Sequence, residues 1–332
     1  MFLKKIWNPE MYQGGMRKRN YFEGWYYKVV SASEKHSWIV IPGVSFGKEK
    51  SKAHAFIQVL SAGHPLSRYF MFPISQFSCT GDRSGIRIGK NFFSRNKVIL
   101  DLQEKDITIK GRLFFSKIRI PDRSLLSPGI MGWYSFVPFM ECYHSLLNLQ
   151  SAVAGRLAVN KKRIDFTGGR GYCEKNWGRS FPSSWIWMQS NHFKENRNTA
   201  FTASIARIPW ITGPFTGFFV ILMGPKKTYR MATYTGARII KLQVSRSRLY
   251  ITLKDKDYLL NIRVIRRDHS GLRAPQKGEM VRPIHESINS EIKLSLYALN
   301  DGLIFKGSGN HAGLEVMGPV SNISPYPAFT SK

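Results

Sequence analysis

A carboxyl group set among aromatic rings can hold a proton and deliver it, and the stretch Gly168–Phe193, GGRGYCEKNWGRSFPSSWIWMQSNHF, carries the parts for this. It contains an acid (Glu174), a cation (Lys175), amides (Asn176, Gln189, Asn191) and three of the eight tryptophans (Trp177, Trp185, Trp187). The run Ser184–Ser190, SWIWMQS, reads as a strand, and strand alternation puts Trp185, Trp187 and Gln189 on one face. Rings and amides sharing a face describe a pocket better than a plain core, because buried polar groups need partners. An acid walled by aromatics is expected to stay protonated near neutrality, and that is the requirement for a general acid. Glu174 is therefore the candidate catalytic residue, with the amides and tryptophans as candidate binding groups.

Other chemistries find less support. The eight histidines show neither HxH nor HExxH spacing, and no cysteine pair joins them, so no metal site is expected. His54 and His144 read as hydrogen-bonded structural residues. Gly43-Val44-Ser45-Phe46-Gly47 matches the serine-hydrolase pattern, but that pattern needs a following helix, and a charged turn follows here. The glycine-rich run Gly307–Gly313 lies in no βαβ unit and fits no phosphate-binding fingerprint. Three well-separated cysteines imply no disulfide framework.

The elements that must position these residues are strands. Aromatic residues make up 13% of the 332-residue chain, and polar and apolar residues alternate over short runs with turns about every ten residues. The runs include Trp25–Val30, Trp38–Val40, Ala55–Leu60, Val98–Leu102, Ala200–Ile205 and Ile292–Tyr297. Ile99–Leu113, ILDLQEKDITIKGRL, aligns without gaps on Tyr250–Val264, YITLKDKDYLLNIRV, and Tyr21-Phe22-Glu23 falls at the same spacing on Tyr172-Cys173-Glu174. The repeat predicts two similar antiparallel β-domains, residues 1–165 and 166–332, and it makes Glu23 the counterpart acid. Arg119–Phe139 reads as a long aromatic-rich connection apolar enough to cover a greasy cavity, and Arg266–Pro283 as a polar, solvated loop. Any helix is expected around Glu141–Leu149. The net charge of +29 favours anionic partners, but no basic block stands out as a nucleic-acid arm. The opening MFLKKIWNPE and the short apolar runs give a reduced, cytoplasmic reading, with peripheral contact at the inner face of an anionic membrane worth about 1 kcal/mol per surface Lys or Arg.

Tyr172–Gln189 resembles the signature of the tocopherol cyclase family, Y-x-E-K-N-W-G-x-x-F-P-x-x-W-x-W-x-Q. Tyr21–Tyr27 and Gly132–Glu141 agree with two further blocks, which bring in Trp25 and Trp133 as binding residues. Tyr-x-acid-x-Asn-Trp-Gly is more distantly similar to carotenoid hydratases and related cyclases. The resemblance implies two tandem lipocalin-like barrels and cofactor-free chemistry on a prenylated quinol or similar isoprenoid. Glu174 protonates the alkene, with Glu23 next in line. The tryptophans stabilise the cation, and Asn176, Gln189 or Asn191 orients the phenol that captures it. A non-catalytic isoprenoid carrier and an alkene hydratase are the alternatives.

Overall fold

The computed structural model describes residues 2–15, 19–62, 66–82, 84–267 and 270–324; of the histidines weighed as ligands, His64 and His269 lie outside this set. Each run expected to be a strand is one, and the pairings are antiparallel. The fold is all-β, with lipocalin-like barrel sheets in tandem. The single α-helix among the described residues is Phe2–Trp7, and none is long and apolar enough to cross a membrane.

The first sheet has twelve strands. Its centre runs in the order Ser37–Phe46, Tyr21–Val30, Gly169–Gly178, Cys142–Val159, Thr108–Arg119. The second has eleven, with Ala200–Ile208, Trp185–Ser190, Gly302–Met317, Glu279–Ala298 and Tyr258–Ile265 adjacent in that order. The aligned hairpins reproduce the repeat down to register. Leu102 opposes Ile109 as Leu253 opposes Leu260, and Ile99 opposes Arg112 as Tyr250 opposes Arg263.

Three expectations change. Glu141–Leu149 is not helical but enters the eighteen-residue strand Cys142–Val159. Arg266–Pro283 is not a solvated loop: Ser270–Gln276 and Glu279–Ala298 are paired strands joined at Lys277-Gly278, both of positive φ (49° and 83°). Two consecutive left-handed residues make the tight turn that suits twisted hairpins. The division also differs from one at residue 165. One compact unit comprises Met1–Phe181 with Leu272–Pro283, and the other Pro182–Gly271 with Ile284–Lys332. The reason is the strand Gly169–Gly178, which is hydrogen-bonded on both sides within the first sheet.

Each unit has its own apolar core. In the first it gathers Tyr21, Trp25, Tyr27, Val44, Leu147 and Cys173 from one side of the central strands. In the second it gathers Ile186, Met188, Ala203, Leu314 and Ile292.

Candidate functional site

Alternation within a strand decides what each candidate residue meets. Phe22 opposes Gly178, so even-numbered residues of Tyr21–Val30 share a face with even-numbered residues of Gly169–Gly178. Glu23 and Glu174 therefore lie on opposite faces of one sheet. The Tyr-x-Glu echo is real in both places: Tyr21 donates its phenol to Glu23, and Tyr172 donates its phenol to Glu174. Two residues along a strand return to the same face, which is why the spacing works twice.

Glu23 lies on the core side and is fully buried. Its carboxylate accepts from the backbone N–H groups of Gln13 (2.8 Å) and Gly14 (2.9 Å) as well as from Tyr21. Lys175, also fully buried, approaches it at 2.6 Å. The same ammonium donates to the carbonyls of Pro9 (2.9 Å) and Met11 (2.6 Å). It lies 4.5 Å from the ring centre of Trp25 and 5.1 Å from that of Trp177. Burial pushes the Lys175 pKa down, and the Glu23 charge works against that. This set of contacts ties the segment Pro9–Gly14 onto the sheet, and every contact is structural in kind. Trp25 and Trp177 face Lys175, not Glu174; Trp177 also stacks on Tyr143, with centroids 5.4 Å apart and planes at 9°.

Glu174 lies on the face away from that core and is nonetheless buried, at 4% exposure. The neighbouring strand brings His144 opposite Asn176 and Leu146 opposite Glu174. From there His144 Nε2 reaches Glu174 Oε2 at 2.9 Å, the oxygen that also accepts from Tyr172. The pairing breaks register just beyond, between Leu146 and Asn148, and a bulge of this kind re-aims side chains. Phe22, Tyr26 and half-buried Asn176 share this face, and Tyr26 meets Tyr172 edge to face at 6.1 Å. Beside them, burial raises the thiol pKa of Cys142, and Glu141 is raised by burial against the pull of Arg179 and Arg282. The result is a carboxyl that accepts a hydrogen bond from a phenol and lies within 2.9 Å of an imidazole nitrogen, so that an acid and a base stand side by side on a buried face.

The remaining candidates belong to the second unit. Trp185, Trp187 and Gln189 do share a face, and all three are buried. It is the face opposite Ile186 and Met188, hence away from that unit's core. Their acid is Glu315: the Trp185 indole donates to it at 2.6 Å, and Trp187 opposes it across the strand pair. Glu315 in turn opposes Glu286 on the next strand, and both are buried. Asn191 is buried just past the strand end. Trp133 lies in the connection Arg119–Phe139 of the first unit, half-exposed and stacked on Tyr134. Ser45 sits mid-sheet and donates to the Gly278 carbonyl at 2.8 Å, the role of a structural hydroxyl.

Sequence reasoning did not single out His144, Tyr172, Glu286 and Glu315, which the structure places beside the candidate residues. Tyr172 was within reach, since Tyr-x-Glu places both groups on one strand face. His144 and Glu315 were not, because their partners lie 30 and 130 residues away and only strand pairing unites them. A cavity of about 560 Å³ in the first unit is lined by Lys52, His54, Met71, Arg273 and Met280 among others, and by none of the candidates. Among the described residues no three His, Cys, Asp or Glu side chains converge as metal ligands.

Comparison with known proteins adds the following. A family model described as tocopherol cyclase-like matches residues 119–318. A probable chloroplastic tocopherol cyclase of Oryza sativa subsp. japonica is 24% identical over 198 residues, 56% of this chain and 42% of that protein. The chloroplastic tocopherol cyclase of Zea mays is 34% identical over 62 residues, 19% of this chain and 13% of that protein. The chain thus matches less than half the length of these curated relatives. Among solved structures, CghA with Sch210972 superposes with a TM-score of 0.55 at 10% identity, covering 90% of this chain and 88% of that one. Kievitone hydratase from Nectria haematococca gives 0.50 at 11% identity, covering 90% and 89%. At such identities these two share the fold.

Proposed function

The chain belongs to the tocopherol cyclase-like family, and from that membership we propose that it cyclises a prenylated quinol, or a similar isoprenoid with a ring hydroxyl, by acid catalysis without a cofactor. The observation that carries this reading is the buried Tyr172–Glu174–His144 set on the non-core face of the first sheet. Glu174 gives its proton to the less substituted carbon of the tail alkene, leaving a tertiary cation. The ring hydroxyl oxygen attacks that cation and closes a chromanol ring. The hydroxyl proton returns to the Glu174 carboxylate, so atoms and charge balance and no co-reactant is consumed. Tyr172, which donates to the carboxyl, and His144, which approaches the same oxygen, position Glu174. Phe22, Tyr26 and Tyr172 supply rings beside it whose electron-rich faces favour a passing cation.

A second reading follows from the fold shared with a hydratase. The first step is the same, and water, not the ring hydroxyl, captures the cation. Incubating the purified protein with phytyl- and prenyl-quinols and analysing products by mass spectrometry separates the outcomes. A chromanol of unchanged mass supports cyclisation, a gain of one water supports hydration, and tight binding without product supports a carrier. Glu174→Gln is expected to abolish turnover; full activity in that variant would falsify the assignment of the acid.

A further inference from the structure

The connection Arg119–Phe139 presents apolar side chains to solvent in a way no folding requirement explains. Ser124 and Ser127 close a tight turn with two backbone hydrogen bonds, of 3.0 and 2.9 Å. Its two tip residues are Leu125 and Leu126, 84% and 79% exposed. Trp133 is 45% exposed on a short 3-10 turn, and Phe139 is 95% exposed. Phe139 has a φ of 66°, the left-handed region that a bulky residue adopts only when its surroundings hold it there. Four large apolar side chains within fifteen residues is an unusual density for a surface in water.

The segment is also firmly fastened. The Tyr143 hydroxyl donates to the Val137 carbonyl at 2.8 Å, and Ile130 and Met140 are buried as anchors. Arg123 donates to the Trp7 carbonyl at 3.0 Å, which joins the helix Phe2–Trp7, with exposed Lys4, to the same neighbourhood. Lys117, Arg119 and Arg123 precede the tip, and Lys4, Lys5 and Arg95 add to them, against the acids Asp122, Glu10 and Glu141. The local charge therefore has the sign of the whole chain at +29.

We propose that this connection docks the protein on an anionic bilayer, with Leu125, Leu126, Trp133 and Phe139 entering the interfacial layer and the neighbouring cations meeting lipid headgroups. Apolar tips on a fastened turn, with cations on the segment that leads into it, match a surface that offers hydrocarbon beneath negative charge. Charge complementarity favours this occupant over a second copy of the chain, since two surfaces of equal positive sign repel. The connection leads straight to the candidate acid, for the His144 backbone N–H lies 3.1 Å from Met131 Sδ. In that one respect the proposal rests on the functional reading above, as the point where a prenylated substrate leaves the membrane; docking itself does not depend on it.

The test uses the full chain with vesicles of phosphatidylcholine alone and of phosphatidylcholine with phosphatidylglycerol, in low and high salt. The wild type is expected to co-sediment with the anionic vesicles and to be released by salt. Leu125→Asp with Leu126→Asp should weaken that partition by more than about tenfold. Phe139→Gly should weaken it too while leaving the melting temperature unchanged or higher, because glycine accepts the left-handed backbone. Trp133→Phe should remove a blue-shifted component of the vesicle-bound emission. Equal binding by the double variant, equal binding to neutral and anionic vesicles, or a change only in oligomeric state overturns the proposal. Measuring turnover in parallel separates the two claims. The double variant should lose activity on vesicle-borne quinol and keep it on detergent-dispersed quinol, whereas loss of both docking and turnover in the wild type would sink both.

Discussion

Glu23 and Glu174 share the Tyr-x-Glu spacing, a tyrosine partner two residues back and nearly the same burial, yet their surroundings differ. Glu23 is fully committed: two backbone N–H groups, a phenol and an ammonium converge on it. Removing one partner of a buried ion pair leaves the other uncompensated, so Glu23→Gln and Lys175→Met are expected to cost about 3–5 kcal/mol of stability, read from denaturant midpoints. Protein that remains folded should keep substantial turnover. Glu174→Gln should show the reverse, with turnover lost and stability changed by less than about 1 kcal/mol, since an amide preserves the shape and an acceptor for Tyr172. His144→Gln should lower kcat by roughly 10²-fold with a smaller effect on KM, the pattern of a group that acts on the proton donor. Equal losses of stability in the Glu23 and Glu174 variants would contradict the division of roles.

At the level of elements, the strand Gly169–Gly178 is the piece on which the candidate site depends. Its two neighbours supply Tyr26 on one side and His144 on the other, so the position of Glu174 is set by two registers at once. The strand ends at Gly178, where φ is 147° and a Cβ would collide with the Glu141 carbonyl oxygen. The Arg179 N–H bonds the same carbonyl at 2.8 Å. Gly178→Ala is expected to cost at least about 2 kcal/mol, and the displaced strand end should lower activity as well. Urea unfolding and turnover measured on one preparation check both effects. The Asn-Trp-Gly run thereby acquires separate physical reasons: an amide on the acid's face, a ring over Lys175 on the other, and a glycine that the positive φ and the close Glu141 carbonyl require.

Over the whole molecule, charge and buried phenols set the response to solution conditions. A chain at +29 repels itself, so moderate salt should raise the melting temperature while it weakens contact with anionic lipid. Burial, chiefly, pushes the Tyr21 and Tyr27 phenols well above the ordinary 10.0. The sign follows from linkage: the folded state keeps these protons where the unfolded chain releases them. The stability they contribute is complete below pH about 10 and is lost as pH rises beyond that value. Melting temperature should accordingly fall above pH 10. Phenolate absorbance should show a group of tyrosines that ionises only as the protein unfolds. Smooth titration of all fourteen tyrosines without unfolding would contradict this account.

Much of this was readable from local pattern. Alternation located the strands, because the period of two is a property of the extended backbone itself. The fifteen-residue repeat located two hairpins with one register, since a tight hairpin sets its own pairing. Tyr-x-Glu spacing sufficed to pair each tyrosine with its glutamate. The kink at Lys277-Gly278 was also present in the residues, but the charged, polar run around it hid two strands. Which face each acid occupies was beyond the sequence. That depends on the pairing of Tyr21–Val30 with a strand some 150 residues later, where a slip of one residue would move Glu174 to the other side. That pairing drew Gly169–Gly178 into the first sheet, a second brought His144 to Glu174, and a third, in the other sheet, gave Trp185 its partner in Glu315. Local sequence determined the strands and the residue types they carry. Tertiary structure alone decided which carboxyl became the anchor of a fold and which was left beside an imidazole, because side-chain neighbours across a sheet follow from register and not from proximity in the chain.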